Sequence, residues 1–265
     1  VYRARETERP DALFSDPFAR RLAGERGEQI ARGMPFSDST TWAWITRTVL
    51  FDRFITEQIG QGVDMVVNLA AGLDARPYRM SLPPSLKWVE VDLPEILDYK
   101  EGILVNERPN CSLERVRLDL SNVDARRQLF ERLGQNSKRA LINTEGLLIY
   151  LSTEEVASLA RDLAAIPSFQ AWVFELVSPG LLQKMQRSTG AVLQQANAPF
   201  KFGPLEGPAF FEPYGWRVKE VRSLLKTAAR LGRLTFFMRL LSLLPESSGQ
   251  QGRRPWSGIC LLGKP

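Results

Sequence analysis

Four short stretches of this 265-residue chain place glycine or carboxylate residues where a strand-like run has just ended: Leu69-Ala-Ala-Gly-Leu-Asp74, Asp92, Asp119-Leu120 and Glu145-Gly146. Each suits one part of a nucleoside that carries an amino-acid tail. A glycine turn such as that at Gly72 lets the backbone approach a ligand closely. A carboxylate closing a second strand, here Asp92, can accept both ribose hydroxyls. Asp119 can accept from an adenine amino group while the backbone N–H of Leu120 donates to a ring nitrogen, and Glu145 can meet the ammonium of the tail. Singly, a glycine there is a turn and an aspartate a helix cap. Four in register, after four successive strands, point to one ligand.

The elements that must hold these groups follow from the same runs. Residues 63–69, 87–92, 113–120, 139–145 and 169–177 read as strands, short and mostly apolar, as strands buried on both faces are. Helices fall between them. Pro94 can open one at its first turn, Asn122 to Leu133 forms another, and Ser152 with Glu155 fits a capping box at the start of a third. Strands alternating with helices imply a parallel sheet covered on both faces, an α/β fold, and such sheets bind ligands at the carboxyl ends of their strands. Helices are expected ahead of this core at 11–24 and 41–59. After it come a helical stretch from 178 to 197, a Pro/Gly-rich loop or lid at 199–213, one or two helices across 216–244, and a last strand at 256–262.

Composition removes several functions. The chain has no histidine, so the commonest metal ligand and the commonest general base are missing, and with them a Ser-His-Asp hydrolase or a His-ligated zinc enzyme. Cys111 and Cys260 are too few for a disulfide framework or a cysteine metal site, and no metal is expected. With no apolar run of about 18 residues, stable membrane insertion is not expected. With no basic-then-apolar leader, the expected location is the cytoplasm.

Charge is unevenly placed. From Trp216 to Pro265 ten Lys and Arg face two acids, +8, so the remainder carries −3 of the total +5. Lys219, Arg222, Lys226, Arg230 and Arg233 are three or four apart, which predicts one basic stripe on a helix over 219–233 with Val221, Leu224, Leu225, Ala228 and Leu231 on the apolar side. Three uses stay open: the wet face of a covering helix, a substrate lid, or a docking surface for an acidic carrier protein or an anionic membrane. No aromatics interleave with these charges, and nucleic acid is not an expected partner.

Three runs together, Val66-Val-Asn-Leu-Ala-Ala-Gly-Leu-Asp-Ala-Arg-Pro-Tyr78, Val89-Glu-Val-Asp-Leu-Pro94 and Glu145-Gly-Leu-Leu-Ile-Tyr-Leu151, resemble the leucine carboxyl methyltransferase-like family, especially its bacterial branch of S-adenosylmethionine (SAM)-dependent O-methyltransferases. The opening Arg3-Ala-Arg-Glu, Pro10-Asp-Ala-Leu-Phe-Ser-Asp-Pro17, and Arg47-Thr48 ahead of Asp52 fit the same branch. The likeness covers roughly residues 2 to 180, and the terminal strand fits too. It implies a Rossmann-like class I methyltransferase with a mainly parallel seven-stranded sheet. The chain would be one domain: an N-terminal helical extension at 1–60, a SAM-binding core at 61–180, a substrate cap with sheet completion at 181–250, and the last strand at 251–265.

The resemblance also assigns residues. Arg47 would hold the SAM carboxylate, and the backbone at Ala70 and Gly72 would flank the methionine part. Asp92, with Leu93 beside it, would hold the ribose, and Asp119 with Leu120 the adenine. Glu145 and Gly146 would sit near the amino group, and Tyr150 by the acceptor. The family usually has glycine where Ala70 stands, so a methyl group there would crowd the closest backbone approach. Other readings of the residues are an Arg47–Asp52 surface ion pair, a core Tyr150, and an Asp74 and Arg76 that simply fix the loop.

The resemblance implies O-methylation of a small-molecule or polyketide-like acceptor. A carboxylate acceptor is ionised at neutral pH and needs no base, whereas a hydroxyl does. The absence of histidine favours the former, although Tyr150 or a carboxylate could serve as base. Two competing functions are a nicotinamide-dependent oxidoreductase, which lacks its G-x-G-x-x-G spacing here, and a catalytically silent SAM-binding scaffold.

Overall fold

The computed structural model describes residues 1–33, 37–195, 198–246 and 254–265. In chain order its elements are α1 (Tyr2–Thr7), α2 (Ala19–Gly33), α3 (Ser37–Gly60), β1 (Met65–Leu69), α4 (Arg76–Arg79), β2 (Lys87–Asp92), α5 (Pro94–Ile103), β3 (Ser112–Arg117), α6 (Val123–Gln135), β4 (Ala140–Thr144), α7 (Thr153–Ala164), β5 (Phe169–Val177), α8 (Pro179–Gln195), β6 (Arg217–Ser223), α9 (Leu224–Arg230), α10 (Phe236–Ser242) and β7 (Ser257–Gly263). Short 3-10 turns lie at Leu148–Tyr150 and Gly207–Tyr214.

All seven strands form one sheet in the order β3-β2-β1-β4-β5-β7-β6. The first five are parallel, and β7 runs antiparallel to both β5 and β6. Six strands therefore end at the same edge. Along the central strands alternate residues face opposite helical layers. Val67 and Ile142 pack with Leu129, Phe130 and Leu133 of α6 and Leu159 and Leu163 of α7. Their neighbours Val66 and Leu141 pack with Phe51, Phe54 and Ile55 of α3. Both faces of β1 and β4 are buried, which is why they read as unbroken apolar runs. Asn122 caps α6 through a bond from the Ala125 N–H, and the Ser152–Glu155 capping box forms at the start of α7. No helix among the described residues is long and apolar enough to cross a membrane.

Two expected helices are corrected. Residues 11–18 are turns rather than the start of a helix. Pro10 and Pro17 bracket them, and they are tied back by Leu13 N–H to Glu6 and Asp16 N–H to the Thr7 hydroxyl. The helix begins at Ala19 and is broken at Gly24, whose φ is 56°. The basic stripe does not exist as a helical face, because Lys219 and Arg222 lie on β6, α9 ends at Arg230 and Arg233 lies beyond it. β6 is an edge strand, paired only with β7, and a charged edge strand carries no apolar run by which to read it. Arg222 there binds Glu57 and Glu220 and lies over the Phe54 ring, and Arg233 binds Glu6 and Asp11.

One ion pair is wholly inside. Lys100 of α5 and Glu90 of β2 are fully buried, Nζ to Oε1 2.6 Å, and Arg115 of β3 donates to the other carboxylate oxygen at 2.9 Å. Removing one partner from such a pair strands a buried charge. Lys100→Met is expected to cost about 3 kcal/mol in urea denaturation; a loss below about 1 kcal/mol would mean that Arg115 alone satisfies Glu90.

Candidate functional site

The sheet order brings the four stretches together. Strands β3, β2, β1 and β4 are consecutive neighbours and parallel, so Asp119, Asp92, the 70–74 turn and Glu145 follow one another along one edge. Asp92 ties them. Its Oδ2 accepts the Gly72 N–H at 2.6 Å, its Oδ1 accepts the Leu93 N–H at 2.7 Å, and its backbone carbonyl accepts from Leu118 at 2.9 Å. Each carboxylate oxygen keeps a further lone pair. Asp119 is exposed and takes the Ser121 N–H at 2.8 Å, a bond that holds its carboxyl below the usual range. The Leu120 side chain packs against the core.

The turn after β1 is left-handed at two residues, Ala70 (φ 53°) and Gly72 (φ 49°). Ala70 is the one residue other than glycine with positive φ among the described residues. Its methyl group is thus carried in a backbone conformation that glycine adopts freely and alanine adopts under strain.

Behind this edge lies a buried charge cluster. Arg76 of α4 donates to Asp52 at 2.6 Å, to Asp74 at 2.9 Å and to Glu145 at 2.7 Å. Asp74 also accepts the Arg76 N–H and the Asn68 amide, and Asn68 in turn accepts from Asn143 of β4. Arg79 holds Asp52 through two further bonds. Asp74 and Arg76 thus fix the loop to β1, β4 and α3. Asp52 is taken by Arg76 and Arg79, so the Arg47–Asp52 pair does not form.

Arg47 of α3 instead faces the strand tips. Its Nε lies 3.0 Å from Glu145 Oε1, a close ion pair whose angle is not that of a hydrogen bond, and its guanidinium sits over the Trp44 ring at 4.7 Å. Burial alone would raise Glu145, but Arg76 and Arg47 outweigh it and hold the carboxyl below its usual range.

A second acid, Glu175 of β5, completes the group and was not among the residues expected from the sequence. The only signal for it was one carboxylate inside Phe169-Gln-Ala-Trp-Val-Phe-Glu-Leu-Val177. Its Oε1 accepts the Gly146 N–H at 2.5 Å and lies 3.9 Å from Arg47, while its buried Oε2 has no partner. Burial pushes it up to about 7, against the pull of Arg47 and with the help of Glu145. Tyr150 packs against Phe200 (centroids 5.3 Å apart), and burial raises its phenol above the usual value.

These residues fit a nucleoside with a zwitterionic tail. Arg47 and Glu145 offer one cation and one anion side by side. The positions above Gly72 and Gly146 are open, with no heavy atom nearer than 4.0 Å to an added Cβ. The unpartnered Glu175 Oε2 awaits a donor. A cavity of about 180 Å³ between α1, α2, α3 and Leu73 has Arg47, Trp44 and Thr48 in its wall. A larger depression of about 380 Å³ on α2 is lined by none of these residues and lies apart from the site.

Comparisons with known proteins place the chain in a family. The model of the leucine carboxyl methyltransferase family matches residues 1–164. A protein of Frankia alni named "Putative S-adenosyl-L-methionine-dependent methyltransferase" is 31% identical over 239 residues, 87% of this chain and 85% of its own. One of the same description from Streptomyces coelicolor is 34% identical over 247 residues, 87% and 84% of the two chains. Among solved structures, a DUF574 family protein of Streptomyces avermitilis superposes with a TM-score of 0.58 at 16% identity, covering 100% of this chain and 96% of its own. Magnesium protoporphyrin IX methyltransferase of Synechocystis, solved with bound SAH, gives 0.50 at 11% identity, covering 94% and 93%. Both share the fold.

The strain at Ala70 has a measurable consequence. A left-handed residue other than glycine costs roughly 1–2 kcal/mol, and glycine's added unfolded-state freedom offsets about 0.5–1 kcal/mol of that. Ala70→Gly is expected to stabilise the protein by about 0.5–1 kcal/mol and to raise the melting temperature by about 2 °C. An unchanged or lower melting temperature would show the turn to be unstrained.

Proposed function

This chain belongs to the leucine carboxyl methyltransferase family and is a SAM-dependent methyltransferase, and from that premise we propose that it methylates an oxygen of a small-molecule acceptor, in the first place a carboxylate. SAM, when bound, supplies a methyl group on a sulfonium, already a good leaving-group system. The protein's task is then to orient the partners and exclude water, which in the best intramolecular models is worth roughly 7–11 kcal/mol.

In this reading Arg47 and Glu145 give up their mutual contact, Arg47 taking the carboxylate of the tail and Glu145 its ammonium. One ion pair is exchanged for two, so no buried charge is stranded. Asp92 accepts the ribose hydroxyls with its remaining lone pairs, with Leu93 alongside. Asp119 and the Leu120 N–H take the adenine. The backbone at Ala70, Gly72 and Gly146 admits the ligand closely. Tyr150, with Phe200, walls the acceptor side, and the chain from 198 to 214 caps it.

Glu175 carries the choice of acceptor. With no histidine in the chain and a raised Tyr150, it is the group of this cluster whose carboxyl is pushed up to about 7. Protonated, it can donate through its free oxygen to an acceptor carboxylate, as a neutral acid in a dry site does. Ionised, it could instead take the proton of a hydroxyl, and this second reading rests on the same observation. The two differ in sign with pH. A carboxylate acceptor calls for the protonated form, so kcat/KM falls as pH rises through about 7. A hydroxyl acceptor calls for the ionised form, and kcat/KM then rises across that range. Glu175→Gln, which keeps a donor, should retain activity within about tenfold and lose the pH step in the first case, but lose about 100-fold or more in the second. Labelled methyl transfer should give base-labile esters; base-stable ethers from an enzyme whose rate rises with pH would contradict the carboxylate reading.

A further inference from the structure

The residues between β6 and β7 do something no part of the methyl-transfer site requires. Because β7 is antiparallel to both its neighbours, β6 runs parallel to β5, and the segment leaving Ser223 starts at the same sheet edge as the strand tips. Its second helix, α10, is turned inside out. Phe236 (80% exposed), Phe237 (68%), Leu240, Leu241, Leu243 (79%) and Leu244 (60%) all face solvent, whereas polar Ser242 is buried. At 100° per residue the four on α10 itself, Phe236, Phe237, Leu240 and Leu241, form one continuous arc of roughly 140°, and Leu243 and Leu244 follow directly at its C-terminal end. An ordinary surface helix hides such an arc, and a contiguous exposed apolar patch marks a surface that something covers.

The charge around it narrows what that is. From Val221 to Pro245 the sequence has no Asp or Glu and five basic residues. Of these Arg230 and Arg239 are exposed, and no carboxylate pairs with either among the described residues. A second copy meeting this patch about a two-fold axis would set the same positive charges against each other. The complement is negative and apolar. Phenylalanine and leucine on one arc with arginine at its flank is the pattern of a helix that lies in a lipid headgroup region. We propose that α10 is a peripheral docking element for an anionic lipid surface, with Phe236, Phe237 and the adjoining leucines entering the interface and Arg230 and Arg239 meeting the headgroups.

The test is co-sedimentation of the full chain with vesicles of phosphatidylcholine alone and of phosphatidylcholine mixed with phosphatidylglycerol. Binding to the anionic vesicles is expected to exceed that to neutral ones by about tenfold or more, and to weaken with added salt. Phe236→Ser with Phe237→Ser, and separately Arg230→Glu with Arg239→Glu, should each reduce it by about tenfold or more. Both pairs are exposed, so circular dichroism and SAM binding should be unchanged. No binding to either vesicle, equal binding to both, or binding unaffected in either variant would overturn the proposal. So would a dimer in solution, or a lipid-free complex with an acidic carrier protein, that the phenylalanine variant abolishes.

Discussion

The guanidinium of Arg76 is buried among three carboxylates, Asp52, Asp74 and Glu145, each within 3 Å, and the rest of the site is built around that fact. A buried guanidinium is tolerable only when its donors are met, and a buried carboxylate only when it is paired. With Arg47 and Arg79 the cluster has three cations facing Asp52, Asp74, Glu145 and Glu175. The partner-poor acid is Glu175, and burial, with the help of Glu145, drives its carboxyl up, to about 7. Like groups are thus moved in opposite directions by their surroundings, Glu145 held low beside Arg76 and Arg47 and Glu175 raised.

The same cluster locks the turn after β1. Asn143 of β4, Asn68 of β1, Asp74 and Arg76 form an unbroken chain of hydrogen bonds, and Asp92 clamps Gly72 from the next strand. A turn held from both sides can keep a left-handed alanine that an unsupported loop would not, which is how Ala70 sits where glycine would be easier. Rigid placement at strand tips is also what methyl transfer asks of a protein, since the chemistry lies in the ligand and the contribution of the chain is orientation.

Much of this was legible in the residues. The inner strands are buried on both faces, so their apolar runs were unmistakable, and the polar residues closing them, Asp92 and Glu145, stood out by contrast. The family resemblance placed Arg47, which no spacing would have tied to a residue almost 100 positions away. What escaped has physical reasons. β6 is a charged edge strand, and its basic residues at intervals of three and four imitate a helix. Glu175 sits inside a strand and shows only as one acid in an apolar run. The partners of Asp52 are Arg76 and Arg79, 24 and 27 residues distant, a pairing created by the meeting of α3 and α4 and invisible to local pattern.

Every role given to these residues depends on the groups at successive strand tips converging on one ligand. A crystal structure with S-adenosylhomocysteine bound tests this most directly. The ribose hydroxyls should lie within hydrogen-bond distance of Asp92, the adenine between Asp119 and the Leu120 N–H, and the tail between Arg47 and Glu145 with their own contact opened. A product bound elsewhere, or an Arg47–Glu145 pair left closed with the tail pointing away from it, would contradict the account.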